Sequence, residues 1–272
     1  MLTESSKKST IEAQTIKDFG EQWVAFPQNE GYYASPAVLA DIFGPLENVE
    51  NLKDKTVADV GAGSGRIARI LCELGAKMVY AVEPSAAMEK CKEYTRLFVQ
   101  QITYLPERGD DWTASNLDYV LCIGVLHHIH DPLPVLKNFH RNLKSGGKCI
   151  TWLYGYEGNE AYLRIFEPLR KLTTKIPHFA LTALSWFLLP WLKLYAFFCR
   201  FLPLPMHAYM REHIARIDTV AQKITIYDQL NPTWAMYYRK QEILDLFAKG
   251  GFDKVELYHR HGYSWTVLAT KT

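Results

Sequence analysis

Thr56-Val57-Ala58-Asp59-Val60-Gly61-Ala62-Gly63-Ser64-Gly65-Arg66 is the stretch whose reading decides the fold. Thr56 to Val60 is a short, mostly apolar run suited to a buried strand. Gly61 to Gly65 forms a turn, and Arg66 to Leu74 follows with helical spacing, ended by Gly75. Glycines allow a tight turn and let the backbone approach a ligand closely. The helix start presents unpaired amides that suit a carboxylate or phosphate. Glu83 ends the next strand, Lys77 to Val82, and lies 22 positions beyond Gly61. An acidic side chain there can accept hydrogen bonds from both ribose hydroxyls of an adenosine. The glycine spacing is G-x-G-x-G, not the dinucleotide pattern G-x-G-x-x-G. Asp59 precedes the turn, where it could hold an amino group by charge-assisted hydrogen bonds. Both features count against a nicotinamide cofactor.

Outward from this unit the strand–turn–helix pattern repeats. Ser85 caps a helix reaching about Val99. Strands follow at Ile102–Leu105 and Leu117–Ile123. Asp131-Pro132 opens a helix ending at Gly146-Gly147, and Lys148–Tyr154 is the fifth strand. Upstream, a helix runs from about Thr10 to Trp23, and a second opens at Ser35-Pro36 and ends near Gly44-Pro45. Downstream, Lys240–Lys249 is an amphipathic helix. Val255–His261 and Ser264–Thr270 are strands joined by a tight turn at Gly262-Tyr263. Alternating strands and helices with short connections argue for parallel pairing. The expected fold class is α/β: a Rossmann-like sheet with helices on both faces, an antiparallel final hairpin and a helical insertion. The domain reading is an N-terminal helical cover (1–45), a core (46–155 and 236–272) and an aromatic-rich insertion (156–235). That insertion is too long for a plain loop and reads as a lid or substrate subdomain.

The chain has 272 residues, 48% hydrophobic and 22% charged, a composition suited to one elaborated globular domain. The formal net charge of +2, with no dense Lys/Arg block, argues against a nucleic-acid partner. The five cysteines lack the spacing of a metal clip or redox pair, so no metal is expected and a reduced, cytoplasmic setting is. Met1 to Lys17 has no apolar signal-peptide core. The most apolar stretch, Leu181 to Leu202, is interrupted by Pro190, Lys193 and Arg200, so no transmembrane span is expected. Its aromatics, including Phe179, Trp186, Phe187, Trp191 and Phe198, recur at helical spacing. The preferred reading is a lid packed as core. Contact with a membrane surface through residues 180–202 is the alternative, with the protein then peripheral to a membrane.

The segment from Asp59 to Gly65 resembles motif I of class I S-adenosylmethionine-dependent methyltransferases. The likeness continues through Asn116-Leu117-Asp118-Tyr119-Val120, Gly124-Val125-Leu126-His127-His128-Ile129 and Leu143-Lys144-Ser145-Gly146-Gly147-Lys148, covering about Lys53 to Tyr154. It implies that Asp59, Gly61, Ala62, Gly63 and Gly65 surround the methionyl part of S-adenosylmethionine. It further implies Glu83 on the ribose, Pro84 beside the adenine, and Ile123 and Gly124 lining the methionine pocket. An acidic residue after the third strand should meet the adenine amine. Here the candidates are Asp110 and Asp111, with Trp112 packing on the ring.

His127 or His128 is a candidate general base, since an ordinary imidazole titrates near neutrality. Their alternative is a plain turn into the next helix. The segment Phe19-Gly20-Glu21-Gln22-Trp23, with Tyr32 and Tyr33, resembles the family's N-terminal cover, or is simply a helix packed on the core. Tyr154 and the segment Ile226-Tyr227-Asp228-Gln229-Leu230-Asn231-Pro232 are expected to face the substrate, along with Tyr237, Tyr238 and Arg239. The expected function is methyl transfer to an oxygen or nitrogen of a small-molecule, sugar or lipid-linked acceptor. Two alternatives stay open: another reaction run on the same cofactor, and a non-catalytic protein that keeps the cofactor pocket.

Overall fold

In a computed structural model, residues 4–25, 30–160, 162–164, 168, 173, 176–230 and 234–272 are described. A seven-stranded sheet organises them, in the order β3-β2-β1-β4-β5-β7-β6. The strands are β1 (Thr56–Val60), β2 (Met78–Val82), β3 (Ile102–Leu105), β4 (Leu117–Ile123), β5 (Leu143–Tyr154), β6 (Lys254–Arg260) and β7 (Ser264–Thr270). The first five pair in parallel, while β7 runs antiparallel to both β5 and β6. The chain order reverses between β1 and β4, and ligands bind beyond the strand ends at such a switch point.

The helices are α1 (Glu4–Ala25), α2 (Pro36–Phe43), α3 (Arg66–Glu73), α4 (Ala87–Tyr94), α5 (Leu133–Asn142), α6 (His178–Phe198), α7 (Thr219–Leu230) and α8 (Lys240–Lys249). Alternation along the strands sorts the core into two layers. Val57, Val79, Leu121 and Ile150 face α2, α3 and α4. Ala58, Val60, Val120 and Cys149 face α5 and α8. Burial on both faces explains why β1 and β4 read as apolar runs rather than as alternating patterns. All five cysteines are free and buried, as small core residues.

The boundary between α5 and β5 differs from the expected one. The helix read as ending at Gly146-Gly147 stops at Asn142, and β5 begins at Leu143. Leu143 pairs with Leu117 across an irregularity in the β4–β5 register, and the two glycines lie inside that early part of the strand. There Gly146 donates to the Lys271 carbonyl at 2.7 Å and Lys271 to that of Gly147 at 2.9 Å. Tyr227–Leu230 form the last turn of α7, and Asn231 and Pro232 lie outside the described residues.

The final hairpin closes through His261 and Gly262, both at positive φ (+49° and +74°). It is tied to α2 by a buried ion pair. Arg260, 2% exposed, donates through Nε to Asp41 Oδ2 at 3.1 Å and through Nη1 to the Tyr263 hydroxyl at 2.7 Å. His261 adds a contact to Asp41 Oδ1 at 3.0 Å. The two partners hold the Asp41 carboxyl well below the usual carboxylate range against the cost of burial. Removing one partner strands a buried charge, so Arg260→Ala should lower the unfolding free energy by ~3–5 kcal/mol in urea titration. The double swap Asp41→Leu with Arg260→Met should recover most of that loss. A single variant within ~0.5 kcal/mol of wild type would show that the pair does not hold the hairpin.

Candidate functional site

The glycine turn after β1 is pinned to the end of β2. Gly61 and Ala62 donate to the Val82 carbonyl at 2.8 and 3.1 Å. The buried carboxylate of Glu83 accepts from Gly63 N at 2.9 Å through Oε2 and from Ser85 N at 2.9 Å through Oε1. Gly61, Gly63 and Gly65 all have positive φ (+78°, +52° and +88°), a region that side chains rarely occupy. A Cβ on Gly61 would lie 2.4 Å from Val125, and one on Gly63 3.2 Å from the indole of Trp23. The turn is therefore packed against the protein as well as open to a ligand.

A cavity of ≈ 170 Å³ lies over this turn, at the carboxyl ends of β1, β2 and β4. Gly61, Ala62, Gly63, Glu83, Pro84, Asp110, Ile123 and Gly124 line it, so eight expected cofactor residues come together there. Gly65 instead caps α3, and its Cβ position is filled by Cys91. Asp111 is exposed at the surface, which leaves Asp110 as the acidic residue of this loop facing the cavity. Asp110 also pairs with Arg108 Nε at 3.1 Å.

Trp112 does not reach the cavity. It is 1% exposed and packs in the layer with Phe139. Its indole donates to the Gly109 carbonyl at 3.0 Å, and Asn138 Nδ2 holds Gly109 and Trp112 by their carbonyls. The Trp therefore anchors the loop that carries Asp110, and burying so large an apolar ring outweighs any exposed stacking role.

Asp59 lies on the strand face covered by α3, behind the turn and outside the cavity wall. It is 1% exposed, and its Oδ2 has no hydrogen-bond partner among the described residues. Burial pushes its carboxyl up to about 7, opposed by the nearby Arg66 guanidinium.

A second cavity, of ≈ 910 Å³, adjoins the first and is walled mainly by apolar and aromatic side chains. Phe19, Trp23, Arg66, Ile123, Gly124 and His128 line both. Helix α1 covers the junction: Gly20 lies so close to α4 that a Cβ there would meet Ser85 at 2.9 Å. The Phe19 ring sits 4.6 Å from that of His128. Tyr33, Tyr154 and Asp228 line the second cavity as expected, and Tyr237 joins them. Gln22 donates to Asp228 Oδ1. Burial raises the Asp228 carboxyl to about 7.

Several expected residues fall elsewhere. His127 is fully buried, stacked on Tyr154 at 3.8 Å and outside both cavity walls, and burial keeps its imidazole neutral. Tyr227 turns away from the cavity into a small cluster with Leu181 and Leu230. Tyr238 packs under the sheet in the α5–α8 layer, because its neighbour Tyr237 takes the cavity side of an extended segment. Arg239 begins α8, its guanidinium over the Tyr156 ring at 3.7 Å. Tyr32 packs against the core beneath α2.

Gln229 of the expected segment lines the large cavity too, and Arg66, Tyr209, His213 and Arg260 line it without having been expected there. Arg66 had a local signal, since it directly follows Gly65. Nothing in the sequence spacing links His213 or Arg260 to the turn.

A methyltransferase-domain family model matches residues 58–151. Residues 58–151 thus form a methyltransferase domain, in line with the resemblance to class I S-adenosylmethionine-dependent methyltransferases. The residues around the smaller cavity fit that cofactor: a strand-end carboxylate, a glycine turn open to close approach and an acidic loop residue. S-adenosylmethionine is the cofactor.

The chain is 30% identical over 113 residues to a tRNA U34 carboxymethyltransferase of Sulfurimonas denitrificans, covering 40% of this chain and 38% of that enzyme. It is 27% identical over 177 residues to a ubiquinone biosynthesis O-methyltransferase of Vibrio parahaemolyticus, covering 59% and 74%. Among solved structures, a SAM-dependent methyltransferase of Thermotoga maritima aligns with TM-score 0.51 at 16% identity, covering 97% of this chain and 99% of that one. The last likeness is one of fold alone. The chain spans 38–48% of the length of the tRNA-modifying relatives it matches first.

These relatives overturn the exclusion of a nucleic-acid partner, because enzymes named for tRNA are among them. A net charge is a sum over the whole chain, and 31 basic residues set against 29 acidic ones conceal any local imbalance.

The raised Asp59 carboxyl carries a sign that can be measured. Between about 4 and about 7 the unfolded chain has lost a proton that the folded one keeps, so this group's contribution to stability falls as pH rises. Asparagine is nearly isosteric and does not titrate. Cofactor-free Asp59→Asn should therefore gain stability relative to wild type as pH is raised through that window, read from urea midpoints. A constant difference between the two proteins would place the Asp59 titration near its ordinary range.

Proposed function

We propose that the protein transfers a methyl group from S-adenosylmethionine to an oxygen of a lipid-soluble small-molecule or lipid-linked acceptor seated in the larger cavity. The observation that carries this reading is the large aromatic-walled cavity sharing Phe19, Trp23 and His128 with the smaller one. Mainly apolar walls favour a lipid-soluble acceptor over a sugar. The residues from 156 to 235 act, in this proposal, as a helical lid over the core of 46–155 and 236–272, with 1–45 as the cover.

The cofactor supplies a methyl group on positively charged sulfur, open to in-line displacement. Glu83 binds the ribose hydroxyls and Asp110 the adenine amine. Phe19 and Trp23 exclude water and face the cationic centre. His128 takes the acceptor proton. Its Nδ1 lies 2.9 Å from the Trp234 carbonyl, a contact that puts the hydrogen on Nδ1 and the lone pair on Nε2. Asp228 and the hydroxyls of Tyr154 and Tyr237 orient the acceptor.

The likeness to tRNA-modifying enzymes favours a second reading, an RNA acceptor. It covers 40% of this chain in the first such relative.

Calorimetry on Glu83→Ala should show cofactor binding weakened by about 1.5–3 kcal/mol, the range for hydrogen bonds to a charged group. Unchanged affinity would remove Glu83 from the site. With methyl-labelled cofactor, incubation with a lipid extract and with total tRNA from the source cells separates the two readings. Label in the organic phase supports the proposal, and label in tRNA alone sinks it. His128→Ala should lower kcat by about 10²–10⁴-fold with little change in cofactor affinity.

A further inference from the structure

Helix α6 is apolar on all sides. Its inner stripe, Leu181, Ser185, Leu189 and Ala196, is buried against the rest of the insertion. Its outer stripe is also apolar, yet it faces outward. Of the thirteen large hydrophobic residues exposed among the described ones, nine lie between Phe179 and Leu202. Phe179 is 78% exposed, Phe187 67% and Phe201 72%. The aromatics read from the sequence as core, Phe179, Trp186, Phe187, Trp191 and Phe198, are thus exposed, and the buried stripe is made of other residues. A helix hydrophobic all round belongs in a large core or a bilayer, and exposed apolar patches of this extent mark interaction surfaces.

Charge decides what covers the patch. Between Glu167 and Glu212 there is no acidic residue, while Arg170, Lys171, Lys175, Lys193, Arg200 and Arg211 carry six positive charges. Of these, Lys193, Arg200 and Arg211 are described, and all three are exposed. A second copy of the chain would bring the same positive face against itself. An RNA could stack bases on single rings, but Leu194 and Leu202, exposed on the same stretch, offer no ring for a base to stack on. Anionic lipid satisfies both features: acyl chains take the aromatics, headgroups the cations.

The patch also continues into the protein. Trp191, Leu194 and Phe198 are exposed on α6 and at the same time line the larger cavity.

We infer that the outer face of α6, from Phe179 to Leu202, docks the protein in plane on an anionic lipid surface, with the mouth of the larger cavity turned toward the bilayer. The helix lies on the surface and does not cross it, because its inner stripe remains packed on the protein and Lys193 is bonded to Thr219 Oγ1 at 2.8 Å. This deepens the proposed acceptor reading, since a lipid-soluble acceptor could pass from the bilayer into the cavity. The docking itself is read without any methyl transfer, so either reading can fail alone.

The full-length protein is sedimented with vesicles of phosphatidylcholine and phosphatidylglycerol in equal parts, and with vesicles of phosphatidylcholine alone. It should pellet with the mixed vesicles and much less with the neutral ones. Phe187→Glu with Phe201→Glu should abolish pelleting while cofactor affinity and thermal midpoint stay at wild-type values; neither residue lines either of the two cavities described. Lys193→Gln and Arg200→Gln should each weaken binding roughly fivefold, the effect of about 1 kcal/mol per basic residue near an anionic surface. Three outcomes overturn the inference: no pelleting with anionic vesicles, a dimer that the Phe187/Phe201 variant dissociates, or tRNA binding lost in that variant while vesicle binding persists.

Discussion

One carboxylate holds the site together. Glu83 accepts from the amides of Gly63 and Ser85, and so locks the glycine turn after β1 to the start of the helix after β2. Together with the Val82 carbonyl, which accepts from Gly61 and Ala62, it fastens the two parallel strands at the ends where a ligand binds. The turn can take this path because three of its residues adopt positive φ without steric cost. Everything that faces the smaller cavity is referred to that clamp: Pro84 beside it, Ile123 and Gly124 on the adjacent strand, and Trp23 above.

Around the clamp, charge is buried unevenly. Asp59 and Asp228 are both raised to about 7, each mainly by burial and each opposed by Arg66. Arg66 reaches both cavities and stacks over Tyr33 at 4.1 Å. In a low-dielectric interior a nearby cation favours the charged form of each carboxyl. A cationic ligand would add a second such charge, so binding and protonation are coupled in this site.

Helix α6 answers a different constraint. Its inner face completes an apolar cavity, and its outer face stays apolar. A soluble lid needs the first property only. The second has a physical reason only if the surface meets something other than water.

Much of the fold was legible in the sequence because its signals are local. Thr56–Val60, Ile102–Leu105, Leu117–Ile123, Ser264–Thr270 and Lys240–Lys249 form where periodicity and turn residues put them. Gly61, Gly63 and Glu83 could be paired by chain distance, since one βαβ unit fixes how far a turn lies from the next strand end. What lay beyond reach depends on which way a side chain turns. Trp112 and Asp110 are two positions apart, yet one enters the core and the other the cavity, because Asn138 on α5 grips the loop by the carbonyls of Gly109 and Trp112. His127 and His128 are adjacent, and packing under Tyr154 removes only the first from reach. Arg260 and His213 join the larger cavity from elements with no spacing relation to motif I. Sequence alone determined the strand order's raw material and the cofactor's turn, which are set by backbone conformation and short-range periodicity. Tertiary packing alone decided the wall of the second cavity and the bare face of α6, because both depend on contacts between segments remote in the chain.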